Sequence, residues 1–322
     1  MSTHLGDDGI PLFSVVMAVY NAEDTIQEAV QSILNQSFKD YEIIICNDAS
    51  TDNTLSIIND FNDSRIKVIE QLRNSGPGAA RDRGIEIARA PWIAFIDADD
   101  AWHPSRLERV MKAISLIDFD FIFDNTMLCH HTPAGLVPWK SLHKRFAFGA
   151  NSKLPRKIEI QDYICADRLL IHPIFKKSLV QNGGVKHTRR MFAEDAEFYL
   201  RLANFGARFA YLPDPLYLYR ITPGSLTAKI AKDKSIMRRC LEDFSKWDNW
   251  GESEILAFNK KIEKLKKIED YYSLTEILKK LRIFMAINFI YARPHLITTL
   301  PQKIFQQLFY QVHRIIFKGK RR

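Results

Sequence analysis

Three carboxylates within four positions, Asp97, Asp99 and Asp100, are the residues of this sequence best suited to chemistry. They follow residues 92–96, a short apolar run that begins after a proline and is typical of a buried strand. Ligands of open α/β sheets bind beyond the carboxyl ends of strands, and carboxylates crowded together there repel one another. A divalent cation would relieve that repulsion, so the pattern predicts a Mg²⁺ or Mn²⁺ site that also receives substrate phosphates.

The same acidic cluster has a structural explanation that needs no metal. Asp100 lies shortly before His103 and Pro104, and an acidic residue ahead of a proline can cap the first turn of a helix. A motif as short as Asp-x-Asp also recurs by chance. The rest of the chain therefore has to decide between a metal site and a helix cap.

The elements that would position these carboxylates alternate between strand and helix. Apolar runs predict strands at residues 12–19, 41–46, 66–69, 92–96 and 119–128, and segments with helical spacing lie between them. This alternation predicts an α/β fold with a mostly parallel sheet, right-handed crossovers and helices on both faces. Asp24, Asp48 and Asp97 would then lie along one edge of the sheet.

The pattern is less regular after residue 128. Residues 129–156 show no clear periodicity. Beyond them we expect helices at 158–170, 175–182 and 194–205, and short strands at 207–212 and 217–221. Glu194 and Asp195 open the third helix, where the helix dipole favours acidic residues, so capping alone would explain this pair.

Charge and cysteine usage exclude several classes of protein. The net charge is +8, but residues 251–322 hold 15 Lys and Arg against 6 Asp and Glu, which leaves residues 1–250 near neutral. A nucleic-acid-binding domain would carry basic residues on its folded face, so no nucleic-acid partner is expected. The four cysteines lack paired spacing, and no signal peptide or membrane span is evident, which favours a cytosolic chain without a zinc site.

Five short motifs occur in a definite order along the chain. They are SVVMAVYNAE at 14–23, NDASTD at 47–52, NSG with AR at 74–81, IDADD at 96–100, and Glu194-Asp195 followed by Arg201 and Gly206. Each is weak alone, but their joint order and spacing are specific. The chain resembles family-2 glycosyltransferases of the GT-A fold, the bacterial non-processive kind that build surface polysaccharides, over roughly residues 11–227. The Gln-x-x-Arg-Trp motif of processive synthases is absent.

The resemblance implies a donor pocket for a nucleotide-diphosphate sugar, most commonly a UDP-sugar. Val19, Tyr20 and Glu23 would line the nucleotide pocket. Asp48 would accept a hydrogen bond from the base, commonly uracil, and Arg81 would lie near the base or the phosphates.

The resemblance also implies the reacting groups. Asp97 would hold the ribose beside Ala98, Asp99 would bind Mn²⁺ or Mg²⁺, and Asp195 would be the general base. A base on the face opposite the leaving group gives inversion by single displacement. The chain departs from the family pattern at Asp82, where Asn often follows the Arg, and in its NDAS sequence, where Asp-Asp-Gly-Ser is commoner. Both departures leave the base preference open.

Two other functions remain as alternatives. A sugar nucleotidyltransferase should show a Gly-rich basic signature near the N-terminus, whereas residues 20–24 are acidic and lack Gly. The presence of Asp48, Asp97, Asp99 and Asp195 argues against a catalytically inactive sugar-nucleotide-binding module.

The resemblance divides the chain into a catalytic domain at 1–228 and a helical, basic extension at 229–322. Within the domain we expect a nucleotide-binding half at about 11–128 and an acceptor-binding half at about 129–228. The implied acceptor is a hydroxyl of a saccharide or lipid-linked saccharide at the cytoplasmic face of the cell membrane. A homo-oligomer is compatible with these expectations.

The extension carries an amphipathic pattern suited to a membrane surface. After Glu276 there is no acidic residue, and ten basic residues follow. Apolar residues recur on one helical stripe between Ile304 and Ile316, with Gln307, Gln311 and Arg314 largely on the other face. Such a helix can lie in the interface of an anionic membrane, although a stripe of this kind also packs against protein.

If the extension binds membranes, the full chain should cosediment with anionic liposomes, and added salt should weaken the binding because it screens the charges. Deleting residues 277–322 should release the protein while nucleotide binding survives. Undiminished cosedimentation of the truncated chain would show that the extension is not the anchor. Unfolding of the truncated chain would show that the stripe belongs to the core.

Overall fold

The structure is a computed structural model. It describes residues 9–133, 135–142, 154–166, 171–190, 193–222, 234–279, 290 and 292–293. Ten strands among these residues form one mixed sheet. The strands are β1 (Phe13–Val19), β2 (Tyr41–Asn47), β3 (Ile66–Glu70), β4 (Trp92–Asp97), β5 (Ala101–Trp102), β6 (Phe121–Thr132), β7 (Gly135–Ser141), β8 (Arg156–Ile158), β9 (Ile174–Lys176) and β10 (Phe209–Arg220). The helices are α1 (Ile26–Leu34), α2 (Thr54–Asn59), α3 (Pro77–Ile87), α4 (Arg106–Leu116), α5 (Ile160–Cys165), α6 (Lys177–Gly183), α7 (Glu194–Asn204), α8 (Lys234–Phe244) and α9 (Glu252–Lys279).

The first half of the sheet is parallel and buried. Strands β3, β2, β1 and β4 lie side by side in that order, with Val15 between Ile43 and Ala94. Helices α1 and α4 pack on one face, in a core that includes Val15, while α3 packs on the other face against Val16. Every residue of β2 is buried, as expected for a strand covered on both faces. The predicted α/β architecture is confirmed.

A short strand occupies a position for which the sequence predicts a helix. The helical prediction begins at residue 175, whereas Ile174–Lys176 form β9, which lies antiparallel between β4 and β6. The strand is needed there because the start of β4 pairs with β1 on one side only and would otherwise leave buried backbone groups without partners. The predicted helix follows directly as α6.

Two further elements differ from the predictions. A single strand, β10, replaces the two short strands expected at 207–212 and 217–221, and its register against β6 shifts between Leu212 and Tyr217. Pro213 and Pro215 lie in this stretch and cannot donate to a neighbouring strand, which explains the irregularity. In addition, β6 continues to Thr132 and pairs antiparallel with β7, in a region without predicted elements.

The chain divides into two compact units. One comprises residues 1–225 and 248–254, and the other comprises 226–247 and 255–322. Within the second unit, Arg238 of α8 donates hydrogen bonds to Glu242 and to Glu269 of α9, each at 2.8 Å. In the described part of the chain, no helix combines the length and the apolar composition needed to span a bilayer. The amphipathic stripe expected between residues 304 and 316 lies outside the described residues.

Close packing of α3 on the sheet depends on a glycine. A Cβ atom at Gly84 would lie 2.3 Å from Cγ1 of Val16 on β1 and 3.2 Å from Sγ of Cys46 on β2. Neither neighbour can move aside, because Val16 and Cys46 are fully buried in the strands. The absence of a side chain at this position therefore sets the distance between α3 and the sheet.

We predict that Gly84→Ala destabilises the protein by about 1–3 kcal/mol, since overpacking outweighs the better helix propensity of alanine. Gly251→Ala is the matched control, because its Cβ would meet only the flexible end of Glu254. Chemical denaturation of both variants measures the difference. A Gly84→Ala protein as stable as the control would contradict this account of the packing.

Candidate active site

The parallel strands bring several predicted site residues to one edge of the sheet. In the register of the sheet, Ala18 of β1 lies beside Asp97 at the end of β4, and Val19 lies beside Asn47 at the end of β2. The backbone N–H of Asp48 donates to the carbonyl of Val19 at 2.7 Å. Five predicted site residues thus share this edge. Val19, Asp48 and Ala98 are buried, Tyr20 is half-exposed, and the fifth is Asp97.

The loops that follow β1 and β2 are bonded to each other. Oε2 of Glu23 accepts hydrogen bonds from the backbone N–H and the side-chain amide of Asn53, at 3.0 and 2.8 Å. In the other direction, the backbone N–H of Glu23 donates to Asp52 at 3.1 Å. Glu23 therefore joins the loop after β1 to the loop after β2. Its predicted contact with a nucleotide stays a prediction.

Asp48 holds the loop that leads into α3. Its two carboxylate oxygens accept hydrogen bonds from the backbone N–H groups of Ser75 and Gly76, each at 2.8 Å. The residue is only 2% exposed. Gly76 has a φ of 90°, a left-handed conformation that favours glycine. The recognition of a base by Asp48 stays a prediction, and its contacts here position α3.

A single arginine joins the two ends of the predicted site. Arg81 of α3 donates from Nη2 to Oδ1 of Asp97 at 2.7 Å, and from Nη1 to Oδ1 of Asp195 at 2.6 Å. Its side chain is 7% exposed. Burial alone would raise the pKa of Asp97, but the charge of Arg81 beside it keeps that pKa below its ordinary value. The structure thus connects the first residue of the acidic cluster to the predicted general base through Arg81.

The other two carboxylates of the cluster have different surroundings. Asp99 is exposed to solvent, and desolvation by the surrounding protein together with the nearby charge of Asp97 raises its pKa to about 6. Asp100 is buried and accepts hydrogen bonds from the hydroxyl of Tyr217 and the backbone N–H of Arg220, both at 2.8 Å. Burial and its acidic neighbours raise the pKa of Asp100 well above the ordinary value. Asp100 therefore supports the acidic loop from inside the protein.

A histidine missed in the sequence adds a nitrogen to the oxygen atoms of this cluster. One ligand atom each from Asp97, Asp100 and His172 lie within 4.8 Å of one another. Burial lowers the pKa of His172 to about 3, which keeps the imidazole neutral, and its Nδ1 has no hydrogen-bond partner among the described residues. Carboxylate oxygens suit Mn²⁺ or Mg²⁺, whereas an imidazole ligand is more typical of Zn²⁺, Fe²⁺ or Ni²⁺. Nothing in the sequence around His172 indicates that it lies near Asp97 and Asp100.

The two acidic residues that open α7 differ in their contacts. Asp195 bonds Arg81, whereas burial and the charge of Asp195 raise the pKa of Glu194 to about 7. The N-cap residue of α7 is Ala193, and no side chain caps this helix terminus. Asp195 contacts α3 in addition to opening α7, so helix capping does not by itself account for it. Its role as a base stays a prediction.

Known proteins are similar to this chain in sequence and in fold. The family model described as Glycosyl transferase family 2 matches residues 14–179. The succinoglycan biosynthesis protein ExoO of Rhizobium meliloti is 29% identical over 252 residues, which cover 72% of this chain and 70% of that protein. The Escherichia coli protein WfaP, named UDP-Glc:α-D-GlcNAc-diphosphoundecaprenol β-1,3-glucosyltransferase, is 40% identical over 114 residues, 35% of this chain and 45% of that protein.

A solved structure confirms the architecture. The crystal structure of S. aureus TarS 1–349 in complex with UDP-GlcNAc matches with a TM-score of 0.59 at 21% identity, covering 79% of this chain and 71% of that chain. The likeness shows the GT-A fold expected from the sequence. The family model spans more than half of the chain, so the protein belongs to glycosyltransferase family 2 and is a glycosyltransferase.

Proposed function

We propose that this protein is a metal-dependent, inverting glycosyltransferase that moves a sugar from a UDP-sugar to a hydroxyl of a saccharide acceptor. The observation that supports the proposal is the contact of Arg81 with both Asp97 and Asp195, the carboxylates that we assign to the donor side and to the acceptor side. The catalytic domain of this proposal spans residues 1–228, with a nucleotide-binding half at about 11–128 and an acceptor-binding half at about 129–228.

The nucleotide would occupy the edge formed by β1, β2 and β4. Tyr20 is 49% exposed there and offers an aromatic face, while Asp97 retains a second carboxylate oxygen beyond the one that bonds Arg81. A ribose hydroxyl can donate to that oxygen. The names of WfaP and of the TarS complex, which mention UDP-Glc and UDP-GlcNAc, support a UDP-sugar as donor.

A divalent metal fits the acidic cluster, and we assign it to Asp99. The carboxylate of Asp99 is exposed, whereas both oxygens of Asp100 already accept hydrogen bonds inside the protein. Mn²⁺ or Mg²⁺ would act as a Lewis acid that stabilises the charge developing on the diphosphate leaving group.

Asp195 would take the proton of the acceptor hydroxyl. Its side chain is 38% exposed, and one of its oxygens bonds Arg81, so the carboxylate is held in place while remaining accessible. An acceptor hydroxyl is a weak nucleophile, and a positioned carboxylate assists its attack. A direct attack opposite the leaving group inverts the anomeric configuration.

The proposed acceptor and cellular location are inferred from the names of the relatives. The names of ExoO and WfaP, with succinoglycan and a diphosphoundecaprenol saccharide, support a role in surface polysaccharide synthesis and a lipid-linked acceptor. An enzyme with such an acceptor would act at the cytoplasmic face of the cell membrane. The basic extension after residue 228 would bind the anionic surface there.

The base assignment predicts that Asp195→Asn lowers the transfer rate by about 10²–10⁴-fold, because the amide cannot accept the proton. Binding of UDP should barely change, since the amide oxygen can still accept the hydrogen bond of Arg81. Glu194→Gln is the matched control, one position earlier in α7, and should keep most of the activity. Initial rates with UDP-sugars on a lipid-linked saccharide measure this.

Near wild-type turnover of Asp195→Asn would reject the base assignment. Complete inactivity of the wild-type chain with every nucleotide sugar, although UDP binds, would favour the inactive-module alternative.

The metal assignment predicts that Asp99→Asn abolishes the increase in UDP affinity produced by Mn²⁺, while metal-free UDP binding remains. His172→Gln should keep the increase if Asp99 is the ligand. Isothermal titration of UDP with and without Mn²⁺ separates the two variants. The opposite result, retention in Asp99→Asn and loss in His172→Gln, would move the metal to the Asp97, Asp100 and His172 group.

A further inference from the structure

A buried histidine lies against the helix that carries Arg81. His187 belongs to residues 185–190, the segment between α6 and α7, and its ring is fully buried. The ring stacks on Phe198 of α7 with a centroid distance of 4.0 Å and an interplanar angle of 3°. A Cβ atom at Gly78 of α3 would lie 2.7 Å from Cβ of His187. A glycine at this position therefore allows the histidine to rest on α3.

Asp82, the residue after Arg81, binds this histidine by its side chain and by its backbone. Nδ1 of His187 lies 2.6 Å from Oδ1 of Asp82, and the backbone N–H of His187 donates to Oδ2 at 3.0 Å. The carboxylate can only accept, so the contact assigns the proton to Nδ1. Nε2 is buried and has no hydrogen-bond partner among the described residues. The two hydrogen bonds between Asp82 and His187 thus connect α3 to residues 185–190.

The same segment is tied to α7 on its other side. Glu197 of α7 is 3% exposed and accepts hydrogen bonds from Oγ1 of Thr188 at 2.8 Å and from Nε of Arg190 at 3.0 Å. It also accepts from Nη2 of Arg201 at 2.8 Å, within the helix. Residues 185–190 therefore connect the helix of Arg81 to the helix of Asp195.

Together with the Arg81–Asp195 ion pair, these contacts connect α3, residues 185–190 and α7 in a closed ring. Arg81 joins α3 to Asp195 of α7, Glu197 joins α7 to the segment, and His187 joins the segment back to Asp82 of α3. Two adjacent residues of α3 thus hold α7, one directly and one through the segment. This ring of contacts restrains the distance between α3 and α7 more tightly than the Arg81 contact alone.

We propose that Asp82 and His187 are positioning residues for glycosyl transfer, which hold Asp195 in place for the acceptor. The proposal rests on the proposed role of Asp195 as the base. Neither residue contacts the reacting atoms in this account, because the ring of His187 is fully buried and Asp82 faces it. Misplacement of a catalytic group by about 1 Å is enough to cost roughly 100-fold in rate.

His187→Phe is the decisive variant, because phenylalanine keeps the stacking on Phe198 and removes the donor to Asp82. We expect kcat to fall by roughly 10–100-fold at saturating donor, with UDP affinity within a few-fold of wild type. Asp82→Ala should give the same result by removing the acceptor. Asp82→Asn should lose less activity than Asp82→Ala, since its amide oxygen can still accept from Nδ1 of His187, whereas its amide nitrogen cannot accept from the backbone N–H.

Lys186→Ala is the matched control. Lys186 links the same segment to the same helix through Glu86 at 3.4 Å, but its side chain is 71% exposed, so its loss should leave kcat unchanged. Thermal denaturation of each variant confirms that it is folded at the assay temperature. A loss of kcat in Lys186→Ala equal to that in His187→Phe would overturn the proposal.

A double-mutant cycle with Asp195→Asn completes the test. If the pair acts through Asp195, His187→Phe should cost almost nothing further once Asp195 is replaced. Additive losses, or wild-type kcat in both His187→Phe and Asp82→Ala, would overturn the positioning role. Wild-type turnover of Asp195→Asn alone would instead reject the base assignment, so the two failures are distinguishable.

Discussion

A guanidinium group held between two carboxylates is the interaction on which the candidate site depends. Arg81 is almost fully buried, whereas Asp97 and Asp195 keep 34% and 38% of their side-chain surface exposed. Water therefore screens part of the attraction, and its contribution to stability is smaller than that of a fully buried pair. The larger effect is geometric, because a planar fork with two bonds fixes the separation of the carboxylates that it joins.

The position of that guanidinium is set by residues that themselves carry no chemistry. Gly84 lets α3 approach the sheet, and Gly78 leaves room for His187 on a different side of the same helix. At the start of the helix, both oxygens of Asp48 hold the preceding loop. Helix α3 is therefore fixed at its beginning and along two sides, and Arg81 inherits that placement. The small residues around α3 thus belong to the function as much as the acidic residues do.

The sequence was informative where the relevant signal is local. Alternating apolar runs and helical spacings predicted the parallel half of the sheet, and strand ends predicted that Asp48 and Asp97 would share an edge. The motif order then indicated the family. In contrast, the repulsion of crowded carboxylates was predicted to require a metal, and in the structure a cationic side chain relieves part of it at Asp97.

Features that depend on distant pairing were not predictable in the same way. The contact between Arg81 and Asp195 joins positions 114 apart, and nothing near either residue indicates the other. His172 enters the acidic cluster because β9 pairs with β4, and β9 itself is too short to show a periodicity. The long strand β10 was divided in two by its prolines, since local rules treat a proline as an end.

The last strand of the sheet has a consequence for the order in which the site can form. Tyr217 and Arg220 of β10 bond Asp100 across 117 and 120 positions, so the acidic loop is supported by residues made much later. Contacts of such high sequence separation carry a large loop-closure entropy and form slowly. During synthesis, strands β1, β2 and β4 are made before β10. Until β10 is made, Asp100 lacks its hydrogen bonds from Tyr217 and Arg220. The acidic loop therefore gains the two hydrogen bonds to Asp100 only when β10 is in place beside β6.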